Sequence, residues 1–204
     1  MVRKVVERLP KSYSDQERAY IKNRLKEEAA TCMGQFGIRR TTVDELVKRV
    51  HIPKGTFYLF YQSKELLLFE VIQEQHALVN QKLYQELSGL AQTKLSAENI
   101  TDVIFEFYKL TEEMPVFRLM DSEEIELLVR KLPREVVEAH FREDTDTIQK
   151  LFSLLPVKQE VDIEVLISAL HAIYYATLHK KEIGERQYDQ ALRLLIHGVV
   201  TQII

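Results

Sequence analysis

One cysteine, Cys32, stands in 204 residues, and tryptophan is absent. A lone thiol excludes an internal disulfide framework and a cysteine-based zinc site, and it suits a reducing compartment. Only six glycines and five prolines interrupt the chain. A sheet protein needs turn residues every ~8–12 positions, so this scarcity, beside abundant Leu, Glu, Lys and Ile, predicts an all-α fold. Nowhere do ~18 apolar residues run together, and the opening MVRKVVERLPKSYSD breaks every apolar run with a charge and has no small-residue cleavage site. The expectation is a cytoplasmic chain with neither secretion nor membrane insertion. Enzyme signatures are scarce too. The six histidines, His51, His76, His140, His171, His179 and His197, are far apart, with no His-Glu-x-x-His pair, and there is no Gly-rich phosphate loop or serine elbow. Cys32 falls on an apolar helical stripe, where it reads as a small buried hydrophobe rather than a nucleophile. No catalysis, no metal and no cofactor are expected.

The composition that remains, 46% hydrophobic and 29% charged, is that of an ordinary globular protein. Its charge is unevenly divided. Residues 1–64 hold 14 Lys/Arg against 7 Asp/Glu, whereas residues 65–204 hold 14 against 24. A basic end on an acidic chain suggests one part that faces a polyanion and another that does something else.

Periodicity predicts about nine or ten helices. Ile21, Leu25, Ala29, Cys32, Met33 and Phe36 form one stripe on a helix over about 15–36, closed by Gly34 and Gly37. Thr41-Thr42 followed by Asp44-Glu45 reads as a cap with acids in the first turn of a helix over 43–50. Pro53 suits the first turn of a short third helix, 53–59, and Ser63-Lys64-Glu65 opens a long one ending near Gly89. Three helices within about 50 residues, the second and third joined by a ~3–4-residue turn, make a helix-turn-helix arrangement. Further helices are expected at 97–113, 115–131, 133–155, 161–181 and 186–203.

Residues 18–70 resemble the DNA-binding domain of the tetracycline-repressor (TetR) family of bacterial one-component transcription regulators. Leu25 and Ala29 match the core of the family's first helix, Gly37 the glycine after it, Thr41-Thr42-Val43 with Leu46 the opening of the second helix, Lys54-Gly55-Thr56-Phe57-Tyr58 the recognition helix, and Ser63-Lys64-Glu65-Leu67 the start of the fourth. The chain departs from the pattern at His51, where a turn glycine is usual and φ > 0 is tolerated by histidine better than by most residues, and at Glu28, Cys32-Met33, Val47, Phe60 and Tyr61. A short helix in the major groove offers its N-terminal side chains to base edges, while surrounding caps and cations hold phosphates. Lys54, Thr56 and Tyr58 are placed nearest DNA. Gly55 permits close approach, and Thr42, Tyr61, Lys64, Arg39 and Arg40 complete the candidate set. Arg3, Lys4, Arg8 and Lys11 in the extension 1–14 form either a DNA-touching arm or a solvated tail.

The resemblance implies a helix-turn-helix domain over 15–70, joined by the long helix to a ligand-binding and dimerisation bundle over 71–204. Val103, Phe107, Tyr108, Met114, Phe117 and Met120 are candidates for an apolar, aromatic-walled cavity, with His171 and Tyr175 as polar orienting groups; a packed core would use the same residues. The stripes Leu166, Leu170, Ile173, Tyr174 and Leu192, Leu195, Ile196, Val199 are candidates for a two-fold interface with a second copy. The function so implied is a homodimeric repressor released from a palindromic double-stranded DNA operator by a small apolar or aromatic ligand, with the fourth helix as lever. The alternative is an architectural or division-linked DNA-binding protein of the same fold that takes no inducer.

Overall fold

The computed structural model describes residues 13–91, 95–114, 116–119 and 123–204. Most of the extension 1–14, with its four cations, and the cavity candidate Met120 therefore lie outside the described residues. Among the described residues there are ten α-helices, one 3-10 turn and no strand. None of the helices is long and apolar enough to cross a membrane.

Helix α1 (Asp15–Arg40) opens on a reciprocal cap: the Ser14 hydroxyl accepts from the Glu17 amide while the Glu17 carboxylate accepts from the Ser14 amide. The predicted stripe is buried from Ile21 to Met33, but Phe36 is largely exposed, with the Arg49 guanidinium 5.7 Å above its ring. Gly37, at φ 80 and ψ 176, kinks the chain, which then continues helically to Arg40. Helix α2 (Val43–Val50) is capped by Thr42, whose hydroxyl accepts from the Glu45 amide. It ends on His51 in the left-handed region, φ 58 and ψ 43, so the conformation the family glycine supplies is retained by a histidine. Helix α3 (Lys54–Phe57) is shorter than expected: Pro53 is its cap rather than its first turn, and Tyr58, Leu59 and Phe60 form tight turns after it. Helix α4 (Lys64–Ala91) begins where Ser63 accepts from the Leu66 amide.

Helix α5 (Ala97–Glu113) matches its expected span, with Ser96 accepting from the Asn99 amide. The single helix expected at 115–131 is instead a 3-10 turn, Phe117–Leu119, followed by α6 (Glu123–Val129). Val116 and Phe117 are both buried, and adjacent positions of an α-helix do not share a face. Helix α7 (Arg134–Ser153) follows the Pro133 cap, and α8 (Ile163–Leu178) is capped by Asp162. The chain breaks at His179 before the short α9 (Lys180–Ile183) and closes with α10 (Tyr188–Ile203).

Two apolar clusters hold the helices. One joins α1 to α3 and the first turns of α4 with Val116, Leu128 and Leu132, so α6 packs on the helix-turn-helix unit. The other joins α5, α8 and α10 through Ile100, Phe105, Tyr108, Ile173, Tyr188, Leu192, Ile196 and Val200. This corrects the expected interface stripe, because Leu166, Ile173, Leu192 and Ile196 are buried within their own chain. Leu170 lines a cavity, Tyr174 donates its hydroxyl to the Phe117 carbonyl at 2.8 Å, and Val199 is half-buried. Leu195 alone of the eight is exposed; Val165 on α8 and Leu194 on α10 are exposed as well. Both faces of these helices are apolar, so periodicity marks two stripes and does not say which is inward.

Candidate functional site

The sequence places its DNA-facing candidates on and around α3. Lys54 and Tyr58 are exposed, and nothing lies within 4 Å of where a Cβ on Gly55 would stand. The outer face of α3 is therefore bare and low enough for a duplex edge to approach closely. Lys54 Nζ is 2.9 Å from Asp44 at the start of α2, and that carboxylate raises the lysine's proton affinity, so the reading helix is held against α2 with its cation charged. Arg39 and Arg40 are exposed at the end of α1, and Thr42 is an exposed cap.

Three expected DNA contacts are corrected by their packing. Thr56 is buried and shares a hydrogen bond with the Tyr13 hydroxyl at 3.3 Å. Tyr61 is buried against Phe57; burial and the neighbouring Glu70 carboxylate push its hydroxyl far above the ordinary tyrosine range. Lys64 donates to the carbonyls of Thr41 at 2.7 Å, Ile38 at 3.0 Å and Arg39 at 3.4 Å. An ammonium has three donors, and all three are spent tying the start of α4 to the end of α1. Burial lowers the Lys64 pKa, consistent with a cation held inside the fold.

The second candidate site is a cavity of about 510 Å³ walled by α4, α5, α7 and α8, within the usual ~300–1,000 Å³ range of small-molecule sites. Five of the eight expected residues line it: Phe107, Tyr108, Phe117, His171 and Tyr175. Val103 and Met114 do not. Val103 sits about 90° around α5 from the stripe Ile104, Phe107, Tyr108 and Thr111, and Met114 is already the C-cap. Tyr108 donates its hydroxyl to the Leu170 carbonyl at 2.8 Å, and burial raises its pKa well above the usual value. The phenol therefore stays neutral and braces α5 against α8.

Much of the wall was missed by sequence reasoning. Helix α4 contributes His76, Asn80, Leu83 and Leu87 at helical spacing, and α7 contributes Phe141, Asp144, Ile148, Leu151 and Phe152. These stripes are legible one at a time, but nothing in the chain announces that they face each other. Leu170 and Tyr174, expected at an interface, also line the cavity.

The two regions are bridged at the α1 kink. The Glu124 carboxylate on α6 accepts from the Ile38 amide at 2.6 Å and from the Arg39 amide at 3.4 Å. The same residues' carbonyls accept from Lys64. One short stretch of backbone is thus held by an anion from the cavity-bearing part and a cation from α4.

Residues 26–71 match the family model "Bacterial regulatory proteins, tetR family". No curated protein matches the chain by sequence. Among solved structures, the chain is similar to a TetR family transcription regulator from Marinobacter aquaeolei, with 12% identity, 93% of this chain and 98% of that one covered, and a TM-score of 0.59. It is likewise similar to the transcriptional regulator FadR from Bacillus subtilis, solved in complex with stearoyl-CoA, at 15% identity, 89% and 96% coverage and a TM-score of 0.60. A third is SmeT, repressor of the Stenotrophomonas maltophilia multidrug efflux pump SmeDEF, at 17% identity, 89% coverage of each chain and a TM-score of 0.57. Residues 26–71 thus carry the helix-turn-helix domain of the bacterial tetR-family regulators, and the fold of the chain is shared along nearly its whole length with solved regulators of that family.

Proposed function

We propose that the protein is a cytoplasmic, non-enzymatic repressor that binds a palindromic operator as a homodimer and releases it when a small apolar or aromatic ligand enters the cavity. The observation that carries the ligand part is the largely apolar cavity of about 510 Å³ between α4 and α8; an architectural protein without an inducer has no need of it. The structures similar to this chain include a regulator solved with stearoyl-CoA and an efflux-pump repressor, which supports the same class of function. Lys54, Gly55 and Tyr58 would read base edges, while Thr42, Arg39 and Arg40 would fix register on phosphates. Lys64, Thr56 and Tyr61 support those residues from within. The exposed apolar face of α8 and α10, with Val165, Leu194 and Leu195, is the surface for the second copy, which would set the two α3 helices about one DNA turn, ~34 Å, apart.

The test is selection of genomic fragments by purified protein in ~0.15 M salt, alongside a Lys54→Ala, Tyr58→Ala variant, with light scattering for mass. A palindrome enriched by the wild type and absent with the variant, bound by a dimer, supports the reading. No enriched sequence, or a monomer at micromolar concentration, counts against it.

A further inference from the structure

Among the described residues, one group of histidines and a carboxylate converges closely enough to hold a cation: His76 on α4, with His140 and Asp144 on α7. Asp144 lies between the two rings. One carboxylate oxygen is 3.3 Å from His76 Nδ1 and the other is 3.4 Å from His140 Nε2. All three donor atoms fall within 4.8 Å of one another. Around a tetrahedral ion with bonds of ~2.0–2.1 Å, neighbouring donors stand roughly 3.3–3.4 Å apart. Each imidazole stands at that separation from one of the two Asp144 oxygens, and a set with one donor atom from each residue closes to within 4.8 Å.

The surroundings suit an ion as well. His140 and Asp144 are four residues apart on α7, which puts them on one face of the helix, and His76 comes from the facing helix. The rings of Phe69 and His140 meet in a T-shaped pair at 5.3 Å, and those of Phe117 and His76 at 6.2 Å. These aromatic walls lower the local dielectric and limit ring motion. The side chains retain 27%, 13% and 28% exposure, so an entry path exists through a smaller hollow lined by all three residues. His76 and Asp144 also line the main cavity.

We infer that His76, His140 and Asp144 form a binding site for a divalent ion of the zinc class, with its remaining coordination position turned toward the cavity. Two imidazoles and one carboxylate favour zinc and its first-row neighbours over magnesium or calcium, which prefer all-oxygen sites. Three protein ligands leave one position of a tetrahedron open. A ligand in the cavity with an oxygen donor at one end would complete the shell there. The ion-binding site stands independently of the operator reading, because it is measured without DNA.

Untagged protein freed of metal with a chelator is titrated with Co²⁺ and with Zn²⁺, following the visible Co²⁺ absorption and the heat of Zn²⁺ binding. The expected result is one ion per chain, a Co²⁺ spectrum of low coordination number that changes on adding acetohydroxamate, and a rise in melting temperature with Zn²⁺ but not with Mg²⁺. His76→Ala and His140→Gln should each weaken binding at least tenfold, since loss of outer-shell partners alone costs ~10–100-fold. His179→Ala should not. Melting curves establish that each variant folds, and the wild-type stoichiometry decides the matter should one fail. Absence of stoichiometric binding, unchanged affinity in the folded His76 and His140 variants, or a cluster that responds to pH and not to metal, overturns the site. A Co²⁺ spectrum indifferent to acetohydroxamate overturns the open position.

Discussion

Glu124 Oε2 accepts the Ile38 amide at 2.6 Å across 86 residues of sequence, and it does so where Gly37 has turned the chain to φ 80. A Cβ on Gly37 would stand 2.7 Å from that carboxylate. The glycine is therefore required twice, for its backbone conformation and for the space the glutamate fills. Charge-assisted hydrogen bonds to backbone amides are worth about 1.5–3 kcal/mol net. Glu124→Ala should lower stability by about 2 kcal/mol and the melting temperature by ~4–8 °C, read by circular dichroism.

Gly37→Ala should cost more, at least ~2 kcal/mol from the left-handed conformation and the steric clash together. In the double variant the clash is gone but the backbone strain remains. The combined loss should therefore fall short of the sum of the two by ~1 kcal/mol, and strict additivity would show that the residues do not meet.

Lys64 tests packing against recognition. If its ammonium ties α4 to α1, Lys64→Met should destabilise the protein by about 2 kcal/mol while leaving the slope of log K against log salt for operator binding unchanged. Removing a cation that does meet phosphate, as expected for Arg40→Ala, should reduce that slope by ~1. A shallower slope for the Lys64 variant would return that residue to the DNA surface.

His51 occupies a left-handed position at φ 58, which costs a β-carbon-bearing residue ~1–2 kcal/mol, against the ~0.5–1 kcal/mol entropy disadvantage of glycine. His51→Gly should be stabilising by up to ~1 kcal/mol, seen as a gain of ~2–4 °C in the melting temperature.

Cys32 is fully buried, and burial raises its thiol pKa. The native protein should react with a chromogenic disulfide reagent only at the rate of its opening, and stoichiometrically once unfolded. Fast labelling under native conditions would show that α1 opens locally.

What the sequence revealed follows from where its signals are local. The buried stripe from Ile21 to Met33 and the span of α5 over 97–113 are written within a few residues of themselves, and both were readable. The inward turn of Thr56 and Tyr61 was not, because a four-residue helix has too little length to establish a periodic face. Lys64 misled for a different reason: a cation reaching phosphate and one reaching carbonyls have the same sequence signature. His140 and Asp144 are a visible i, i+4 pair, yet their partner His76 is 64 positions from the nearer of them, and only the packing of α4 on α7 brings it in.

Helix α4 carries the Lys64 clamp at one end and Leu87 of the cavity wall near the other. Its 28 residues make a rod of roughly 42 Å at ~1.5 Å per residue. A tilt of only ~5° about the cavity end would sweep the clamped end through roughly 4 Å, slightly more than the ~3.4 Å rise of one base step. Over such an arm, a displacement of roughly 2 Å beside His76 would carry the clamped end through about one base step.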